Sequence, residues 1–340
     1  MPSSRPQQRI PVLTWHGYNV FGDRYDNNDL IAFAADLRVI DDAGFAVVPL
    51  VEVARWVRGE RNDFADLAGG ARPVVALSCD DGTDYDWRNV IHPEHGAQTS
   101  FAESIRSFQR ERPGQQPALS LTSFVIASPS ARRQIDLGAM GGQGALNDDW
   151  WHAANASGLM PIESHGWDHN HPTVSPVVQR EQRSGDFFAI DTFAECDMHV
   201  RAAANFIESR AGRRPLLFAY PWTQASEYMR YRYMPTAAEP LGTIAAFGGQ
   251  SDYLTRDSDR WYLPRFVFGP DWNSRDSLLA LLDGGKIGRR WRMHRHGDPH
   301  PQSHRGSDAG ADIGAGRSPL NDRPAGRVAC ASKSPPRHAA

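Results

Sequence analysis

The feature that most constrains this chain is a repeated alternation between short apolar runs and helical patterns. About eight runs have the length of strands, and most are continuously apolar rather than alternating in polarity. They lie at residues 11–15, 46–50, 73–78, 119–126, 159–164, 215–220, 243–247 and 263–268. Continuous apolar runs are typical of strands that are buried on both faces. The alternation therefore predicts an α/β protein with a parallel sheet.

The helical patterns between the runs carry the usual start and stop signals. The first follows a cap at Asn28 or Asp29 and stops at Gly44. The others occupy residues 101–111, 149–157, 193–211 and 274–283. About eight strands within roughly 290 residues favour a closed or nearly closed, distorted (β/α)7–8 barrel. A doubly wound open sheet is the alternative. We assign residues 1–285 to this domain.

Residues 286–340 have a different composition from the rest of the chain. Arg, Gly, Pro, Ala, Ser and His dominate, and apolar periodicity is almost absent. Such a segment buries too little apolar surface to offset the entropy of ordering, which predicts a disordered tail. The change at Lys286 is abrupt, so a shift of the reading frame is a second hypothesis. One clean open frame on resequencing around this codon would reject it.

Polar residues gather where the predicted strands end. The first strand ends at His16, the third runs into Cys79–Gly82, and the fifth runs into residues 163–169. The sixth ends in residues 220–222, whereas the strand starts carry proline and apolar residues. Active sites of parallel barrels lie at the carboxyl ends of their strands. These separated residues are therefore expected around one mouth of the barrel.

Two polar pairs at these ends have the composition of a metal site. Two adjacent carboxylates such as Asp80 and Asp81 repel each other unless a cation neutralises them. The alternative is a simple turn, which Asp and Gly also favour. His165 and His169 have the spacing HxxxH, which brings both rings to one face if the segment is a helical turn. Two imidazoles and a carboxylate suit zinc. A solvated polar loop is the alternative, and His171 is a rival ligand.

Together these residues resemble the metal-dependent polysaccharide deacetylases of carbohydrate esterase family 4. Residues 77–82, LSCDDG, match the first motif of the family, normally Thr-Phe-Asp-Asp-Gly. Residues 164–172, SHGWDHNHP, match the second, His-Ser/Thr-x-x-His, and residues 218–223, FAYPWT, resemble the third, Arg-x-Pro-Tyr-Gly. Residues 10–17, IPVLTWHG, resemble the family's first strand. The resemblance spans residues 10–283 and implies a distorted (β/α)7 barrel.

The resemblance also implies roles for individual residues. Asp80 occupies the position of the general base, while Asp81, His165 and His169 occupy those of the metal ligands. Trp222 stands where a backbone N–H helps to bind the oxyanion.

The chain departs from the family pattern at several positions. Ala219 stands in place of the third motif's arginine, and Arg265, near the end of the last strand, is our candidate to replace it. Gly166 replaces the Ser or Thr of the second motif. The Leu-x-x-His of the fifth motif, which supplies the general acid, is not found. His16 is one candidate for that role, and a histidine that is only structural is the alternative.

The predicted function is therefore that of a metal-dependent hydrolase that removes N-acetyl or O-acetyl groups from a polysaccharide or oligosaccharide. The predicted cofactor is a divalent metal, Zn²⁺ by its ligands, and the predicted partner is a carbohydrate. Two alternatives remain: an amidase on a C–N bond outside a sugar, and a carbohydrate-binding barrel that has lost catalysis.

The composition excludes several other classes of function. A net charge of -3 gives no electrostatic basis for binding nucleic acid or an anionic membrane, and the apolar runs are too short to span a bilayer. Three scattered cysteines predict reduced thiols rather than a disulfide framework. The first residues lack the apolar segment of a secretory signal, so we expect a cytoplasmic protein unless the true start lies upstream.

Overall fold

A curled parallel sheet is the centre of the computed structural model, which describes residues 8–178 and 183–286. The strands are β1 (Val12–His16), β2 (Ala46–Val47), β3 (Val74–Asp80), β4 (Val90–His92), β5 (Gly96–Gln98), β6 (Thr122–Val125), β7 (Ile162–Ser164), β8 (Leu217–Ala219), β9 (Ala245–Phe247) and β10 (Phe266–Val267). The order across the main sheet is β10-β1-β3-β6-β7-β8-β9, with β2 beside β3, and every pair is parallel. Strands β4 and β5 form a separate antiparallel hairpin.

The sheet returns to its first strand. A parallel bridge between Phe247 and Leu263 joins β9 to the segment that leads into β10. The N–H of Leu263 donates to the carbonyl of Ala246 at 2.9 Å, and the N–H of Gly248 donates to the carbonyl of Leu263 at 3.1 Å. Strand β10 then pairs with β1. The predicted distorted barrel is therefore confirmed, and the sheet is not the open doubly wound alternative.

Helices follow most of the strands, and polar caps set where several of them begin. They are α1 (Asp29–Asp42), α2 (Leu50–Val57), α3 (Ala65–Ala68), α4 (Asp84–Trp87), α5 (Phe101–Glu111), α6 (Pro129–Ala139), α7 (Trp151–Ser157), α8 (Ser175–Val178), α9 (Phe193–Asp197), α10 (Ala203–Ala211) and α11 (Arg275–Lys286). Asn28 caps α1 by accepting hydrogen bonds from the N–H groups of Leu30 and Ile31. A π-helical turn, Met198–Ala202, joins α9 to α10, so the single helix predicted there contains a widened turn.

The two faces of the strands belong to different apolar clusters. In β3, Val74 and Ala76 pack with residues of β8 and β9 such as Leu217 and Phe247. Val75 and Leu77 pack instead in the cluster that contains helices α1 and α5. This period of two is the ordinary alternation of a strand, and it assigns Asp80 to the face of Val74 and Ala76.

Two further expectations concern membrane-spanning helices and the segment after residue 285. Within residues 8–178 and 183–286, no helix combines the length and apolar character needed to cross a bilayer. The tail at residues 286–340 lies outside the described residues beyond Lys286, the last residue of α11. The domain boundary after residue 285 therefore stays a prediction.

Candidate metal centre

The carboxyl ends of β1 and β3 bring His16 and Asp80 side by side, because these two residues are partners in the parallel register. Asp81 follows with a φ of 76°, a left-handed conformation that few residues other than glycine adopt. Gly82 also has a positive φ, and a Cβ atom there would lie 2.5 Å from Cγ1 of Val125. The turn after β3 is thus a close fit against β6, and only glycine can occupy its second position.

An irregular loop, not a helix, carries the two histidines of the second motif. His165 directly follows β7, and its N–H donates to the carbonyl of Val125 at 2.9 Å. The loop then turns through positive φ values at Gly166 and His169, 83° and 61°. The helical turn that would have explained the HxxxH spacing is therefore absent from residues 165–170, and left-handed residues replace it.

Asp81, His165 and His169 meet at one point. One ligand atom from each residue lies within 4.8 Å of the others. The Nε2 atoms of His165 and His169 are 3.7 Å and 3.5 Å from Oδ1 of Asp81. No other group of this kind is found among the described residues. The two motifs, about eighty residues apart in the chain, therefore converge as the sequence predicted.

The donor set suits a divalent metal in its orientation as well as its composition. Nδ1 of His165 is hydrogen-bonded to the carbonyl of Ala219 at 2.9 Å, which directs Nε2 towards Asp81. Burial, together with the charges of His165 and His171, holds the pKa of His169 well below its usual value. A neutral imidazole is the form that binds metal. The residues present fit a zinc-type site.

Arg265 and Asp80 form a two-pronged ion pair inside the barrel. Nη1 and Nη2 of Arg265 donate to Oδ1 and Oδ2 of Asp80 at 2.7 Å and 2.9 Å, and both side chains are almost completely buried. Burial raises the pKa of Asp80, but the charges of Arg265 and His165 and the hydrogen bonds of Arg265 outweigh it and hold the pKa well below its usual value. The Asp80 carboxylate is therefore ionised and fixed in orientation.

His16 and Trp222, the other two predicted catalytic residues, both line the cavity above the centre. The backbone N–H of His16 donates to Oδ2 of Asp29 at 2.8 Å. Trp222 has a φ of 57°, and its indole Nε1–H donates to the carbonyl of His169 at 3.2 Å. The indole is 41% exposed and stacks against the ring of His171.

His171, the rival ligand, lies beside the centre and outside the ligand group. Its ring centroid is 5.9 Å from that of His169. Its Nδ1 accepts a hydrogen bond from the N–H of Thr173 at 3.2 Å and contacts the hydroxyl of the same residue at 2.8 Å. These bonds orient the ring along the rim of the cavity, next to Trp222.

Asp80, the three candidate metal ligands, His16, His171 and Trp222 all line one cavity, which has a volume of about 250 Å³. Its lining contains both polar and apolar residues. The lining consists of His16, Tyr18, Asp80, Asp81, Thr83, Ile126, Ile135, Ala139, Met140, Leu146, His165, His169, His171, Trp222, Thr223 and Val267.

Sequence reasoning missed a pair, Asp168 and His199, that supports the loop carrying His165 and His169. His199 is fully buried in the π-helical turn, and its Nδ1 accepts a hydrogen bond from the N–H of Trp167 at 3.2 Å. Its Nε2 lies 3.5 Å from Oδ1 of Asp168. A Cβ atom on Gly166 would lie 3.0 Å from the same ring, which explains the glycine at this position. An aspartate inside the HxxxH motif was the available signal.

Asp86 was also missed, and it supports the turn that carries Asp81. The hydroxyls of Thr83 and Ser123 donate to its carboxyl at 3.1 Å and 2.8 Å, and the thiol of Cys79 donates at 3.3 Å. Burial raises the pKa of Asp86 to about 7. Through Asp86, these bonds connect Cys79 and Thr83, which lie on either side of Asp80 and Asp81, to Ser123 of β6.

Comparisons with known proteins find similarity in structure. No family model matches the sequence, and no curated protein matches it at a significant level. The deacetylase PplD from Streptococcus pyogenes, solved with acetate, is 15% identical over 81% of this chain and 98% of its own, with a TM-score of 0.53. IcaB from Ammonifex degensii is 16% identical over 80% and 96%, with a TM-score of 0.53. A polysaccharide deacetylase from Bacillus cereus is 13% identical over 81% and 69%, with a TM-score of 0.50.

These similarities extend over about 80% of the chain. Because the sequence identities are low, they establish the fold alone. The resemblance to polysaccharide deacetylases that the sequence motifs predicted is confirmed at that level. The chain has the fold of those enzymes and is a divergent example of it.

Proposed function

We propose that this chain is a metal-dependent hydrolase that removes N-acetyl or O-acetyl groups from a polysaccharide or oligosaccharide. One observation carries the proposal: Asp81, His165 and His169 converge beside an ionised Asp80 at a single cavity. The solved structures of the same fold include proteins named as deacetylases, which supports a hydrolase and a carbohydrate substrate. A barrel that had lost catalysis would have no chemical reason to keep a general base next to three metal ligands.

The proposed ligands of the metal are Asp81, His165 and His169, and their composition favours Zn²⁺. A divalent cation held there supplies Lewis acidity, which polarises a carbonyl and makes a water molecule more acidic. Burial keeps the imidazole of His169 neutral, and the carbonyl of Ala219 fixes the ring of His165.

Asp80 is the proposed general base. Each of its two oxygens accepts one hydrogen bond from Arg265, and a carboxylate oxygen has a second lone pair that can accept a proton from water. Arg265 is the proposed positioning residue, because it keeps the carboxylate ionised in a buried position and fixes its plane. It replaces the arginine of the third motif, whose position is occupied by Ala219.

Two further roles complete the proposed reaction. The backbone N–H of Trp222 is the proposed donor to the oxyanion, a type of contact that is typically worth about 3–4 kcal/mol. His16 is the proposed general acid, since its ring lines the same cavity and it pairs with Asp80 in the sheet. It donates a proton to the leaving nitrogen as the C–N bond breaks, while the hydroxyl of the attacking water joins the acyl carbon.

Metal analysis paired with acetate release from N-acetylated oligosaccharides tests this function. The wild-type protein is expected to bind one equivalent of Zn²⁺ and to release acetate. Asp81→Asn is expected to lose both, while the neighbouring variant Asp80→Asn keeps the metal and loses about 10²–10⁴-fold in kcat. Full metal occupancy in both Asp81→Asn and His165→Gln would reject the ligand assignment.

Two other functions are separated by the same assays. An amidase on a C–N bond outside a sugar is favoured by the apolar part of the cavity lining, where Ile135 and Leu146 lie. It would cleave small N-acyl amides and leave the oligosaccharides intact. A barrel that only binds carbohydrate is favoured by the missing fifth motif, and it would bind oligosaccharides without releasing acetate. The cytoplasmic location expected from the sequence stays a prediction.

A further inference from the structure

The turn after β8 contains two consecutive residues in the left-handed backbone conformation, Trp222 and Thr223, each with a φ of 57°. Threonine is branched at Cβ, and a branched residue at positive φ is a conformational outlier. The deacetylase motif that this segment resembles has glycine at the position of Thr223, and glycine adopts positive φ without a steric cost. The turn therefore carries a cost of about 1–2 kcal/mol per residue, which other contacts must offset.

The same turn carries the proposed oxyanion donor, the backbone N–H of Trp222. The N–H of Thr223 donates to the carbonyl of Tyr220, and the N–H of Gln224 donates to the carbonyl of Pro221, both at 3.1 Å. The N–H of Trp222 is not used in these two bonds. Its direction depends on the backbone angles of the turn, so a change in those angles would redirect the donor.

Tyr262 holds the turn by a hydrogen bond to its backbone. The hydroxyl of Tyr262 donates to the carbonyl of Thr223 at 2.8 Å, and the N–H of Gly249 donates to the same carbonyl at 3.2 Å. Within the described part of the chain, the lining of the cavity includes Thr223 but not Tyr262. Any effect of Tyr262 on a reaction in the cavity therefore passes through the turn.

The ring of Tyr262 is itself closely packed. A Cβ atom on Gly248 or Gly249 would lie 2.9 Å or 3.0 Å from carbon atoms of this ring. The guanidinium of Arg230 lies 4.5 Å from the ring centroid, and its Nε donates to Oδ2 of Asp259 at 2.7 Å. A cation over an aromatic face stabilises this arrangement. The phenol hydroxyl is therefore presented to the turn in a fixed position.

A second hydrogen bond of the same type runs in the opposite direction. The hydroxyl of Tyr220 donates to the carbonyl of Trp261 at 2.8 Å, and the ring centroids of Tyr220 and Tyr262 are 5.8 Å apart. The segments 220–223 and 261–262 thus each donate a phenol hydroxyl to the backbone of the other. Two such bonds restrict the movement of one segment against the other more than a single bond would.

We propose that Tyr262 is a positioning residue for the oxyanion donor, because its hydroxyl holds the turn of Trp222 and Thr223 in its left-handed conformation. This inference rests on the proposed hydrolase function and extends it to a residue outside the cavity. The charge of the oxyanion develops only in the transition state, so a correctly placed donor raises kcat. Loss of the hydroxyl is therefore expected to lower kcat and to leave KM unchanged.

Tyr262→Phe tests the inference, since it removes the hydroxyl and keeps the ring. The full chain is saturated with Zn²⁺, and acetate release from N-acetylated oligosaccharides is measured. We expect kcat to fall about 10–100-fold at unchanged KM. Thermal unfolding measures the stability of the same variant, which is expected to fall by about 1 kcal/mol for one lost hydrogen bond.

Tyr253→Phe is the matched control. The hydroxyl of Tyr253 donates to the carbonyl of Leu281 in helix α11 at 2.6 Å, a bond of the same type as that between Tyr262 and Thr223. The control is expected to lose a similar amount of stability and to keep the kcat of the wild type. A purely structural role of Tyr262 would make the two phenylalanine variants behave alike.

Thr223→Gly provides a second test, because glycine adopts the left-handed conformation without support from the hydroxyl. Thr223 lines the cavity, so Thr223→Gly alone is the reference for the double variant Thr223→Gly with Tyr262→Phe. We expect the double variant to retain most of the kcat of this reference, whereas Tyr262→Phe alone loses most of the wild-type kcat.

Three results would overturn the inference and leave the hydrolase function intact. They are a wild-type kcat in Tyr262→Phe, an equal fall of kcat in Tyr253→Phe, and the same fold loss from Tyr262→Phe with threonine or glycine at position 223. Absence of acetate release by the Zn²⁺-loaded wild-type protein would overturn both the inference and the proposed function.

Discussion

Arg265 donates two hydrogen bonds to the carboxylate of Asp80, a residue 185 positions earlier in the chain. Asp80 ends β3, and Arg265 lies just before β10. Strand β1 separates β3 from β10 in the sheet, so the pair spans the inner face of β1. Both side chains are buried, so each one neutralises the charge of the other.

The first prediction concerns this pair. Arg265→Gln leaves the carboxylate of Asp80 buried without its counter-charge, and we expect a loss of about 3–5 kcal/mol in the free energy of unfolding. Asp80→Asn combined with Arg265→Gln is expected to cost less than the sum of the two single changes, because no buried charge remains. Urea unfolding of the four proteins measures this coupling. Arg133→Gln, at an exposed position, is the control, and additive costs would contradict the pairing.

The strand ends illustrate what a sequence can predict about such a site. Parallel strands place their carboxyl ends at one edge, so His16 and Asp80 could be assigned to the same mouth from the apolar runs alone. The family motifs then assigned Asp81 and the two histidines. The same reasoning placed Arg265 near the end of the last strand, but only the folded chain shows that its guanidinium reaches Asp80.

The loop that carries His165 and His169 illustrates what the sequence could not predict. Spacing suggested a helical turn between His165 and His169, but the loop uses left-handed backbone at Gly166 and His169. A non-glycine residue adopts that conformation only where tertiary contacts compensate for its cost. The carbonyl of His169 accepts a hydrogen bond from Nε1 of Trp222, and the N–H of Trp167 donates to His199. His199 lies more than thirty residues later in the chain, in a π-helical turn. No local pattern reports a contact between segments so far apart.

The second prediction concerns His199. His199→Phe keeps a ring of similar size but removes the acceptor for the N–H of Trp167 and the partner of Asp168. We expect the affinity for Zn²⁺ to fall about 10–100-fold, the usual effect of removing a group that orients metal ligands. Isothermal titration with Zn²⁺ measures the affinity, and circular dichroism checks the fold. The exposed His152→Phe is the control; equal affinities in the two variants would argue against a positioning role.

The third prediction concerns Gly166, at a position where the deacetylase motif that this segment resembles has Ser or Thr. Gly166→Ser introduces the serine of that motif, yet we expect it to lower stability and Zn²⁺ affinity. The reason is that φ is +83° and the new Cβ would lie 3.0 Å from Nδ1 of His199. The backbone conformation alone costs about 1–2 kcal/mol. Gly158→Ser is a matched control, since φ there is +71° and nothing lies within 4 Å of the added Cβ.

Thermal unfolding and Zn²⁺ titration of the two serine variants separate the effects. Gly158→Ser is expected to lose only the stability that the left-handed backbone conformation costs, and to bind Zn²⁺ as the wild type does. Gly166→Ser is expected to lose more stability and to bind Zn²⁺ more weakly. Wild-type metal affinity in Gly166→Ser would show that the loop adapts to a side chain at this position.

The fourth prediction concerns pH and a carboxyl away from the metal centre, that of Asp36. It accepts hydrogen bonds from the hydroxyl of Tyr25 at 2.6 Å and from Nε1 of Trp272 at 3.1 Å. Burial raises its pKa from 3.8 to about 7. Between these two values the folded protein retains a proton that the unfolded chain has released. Stability from this group is therefore complete below about pH 4 and is lost as the pH rises to about 7.

Asp36→Asn replaces the protonated carboxyl with a neutral amide and removes this dependence. We expect the melting temperature of the variant to change less between pH 4.5 and pH 8 than that of the wild type, by an amount corresponding to at most about 4 kcal/mol. Asp29 and Asp86 have pKa values raised by burial to about 6 and about 7, so the comparison must be the difference between variant and wild type. Asp42→Asn, at the exposed end of the same helix, is the control. Parallel melting curves for wild type and Asp36→Asn across this range would contradict a buried proton on Asp36.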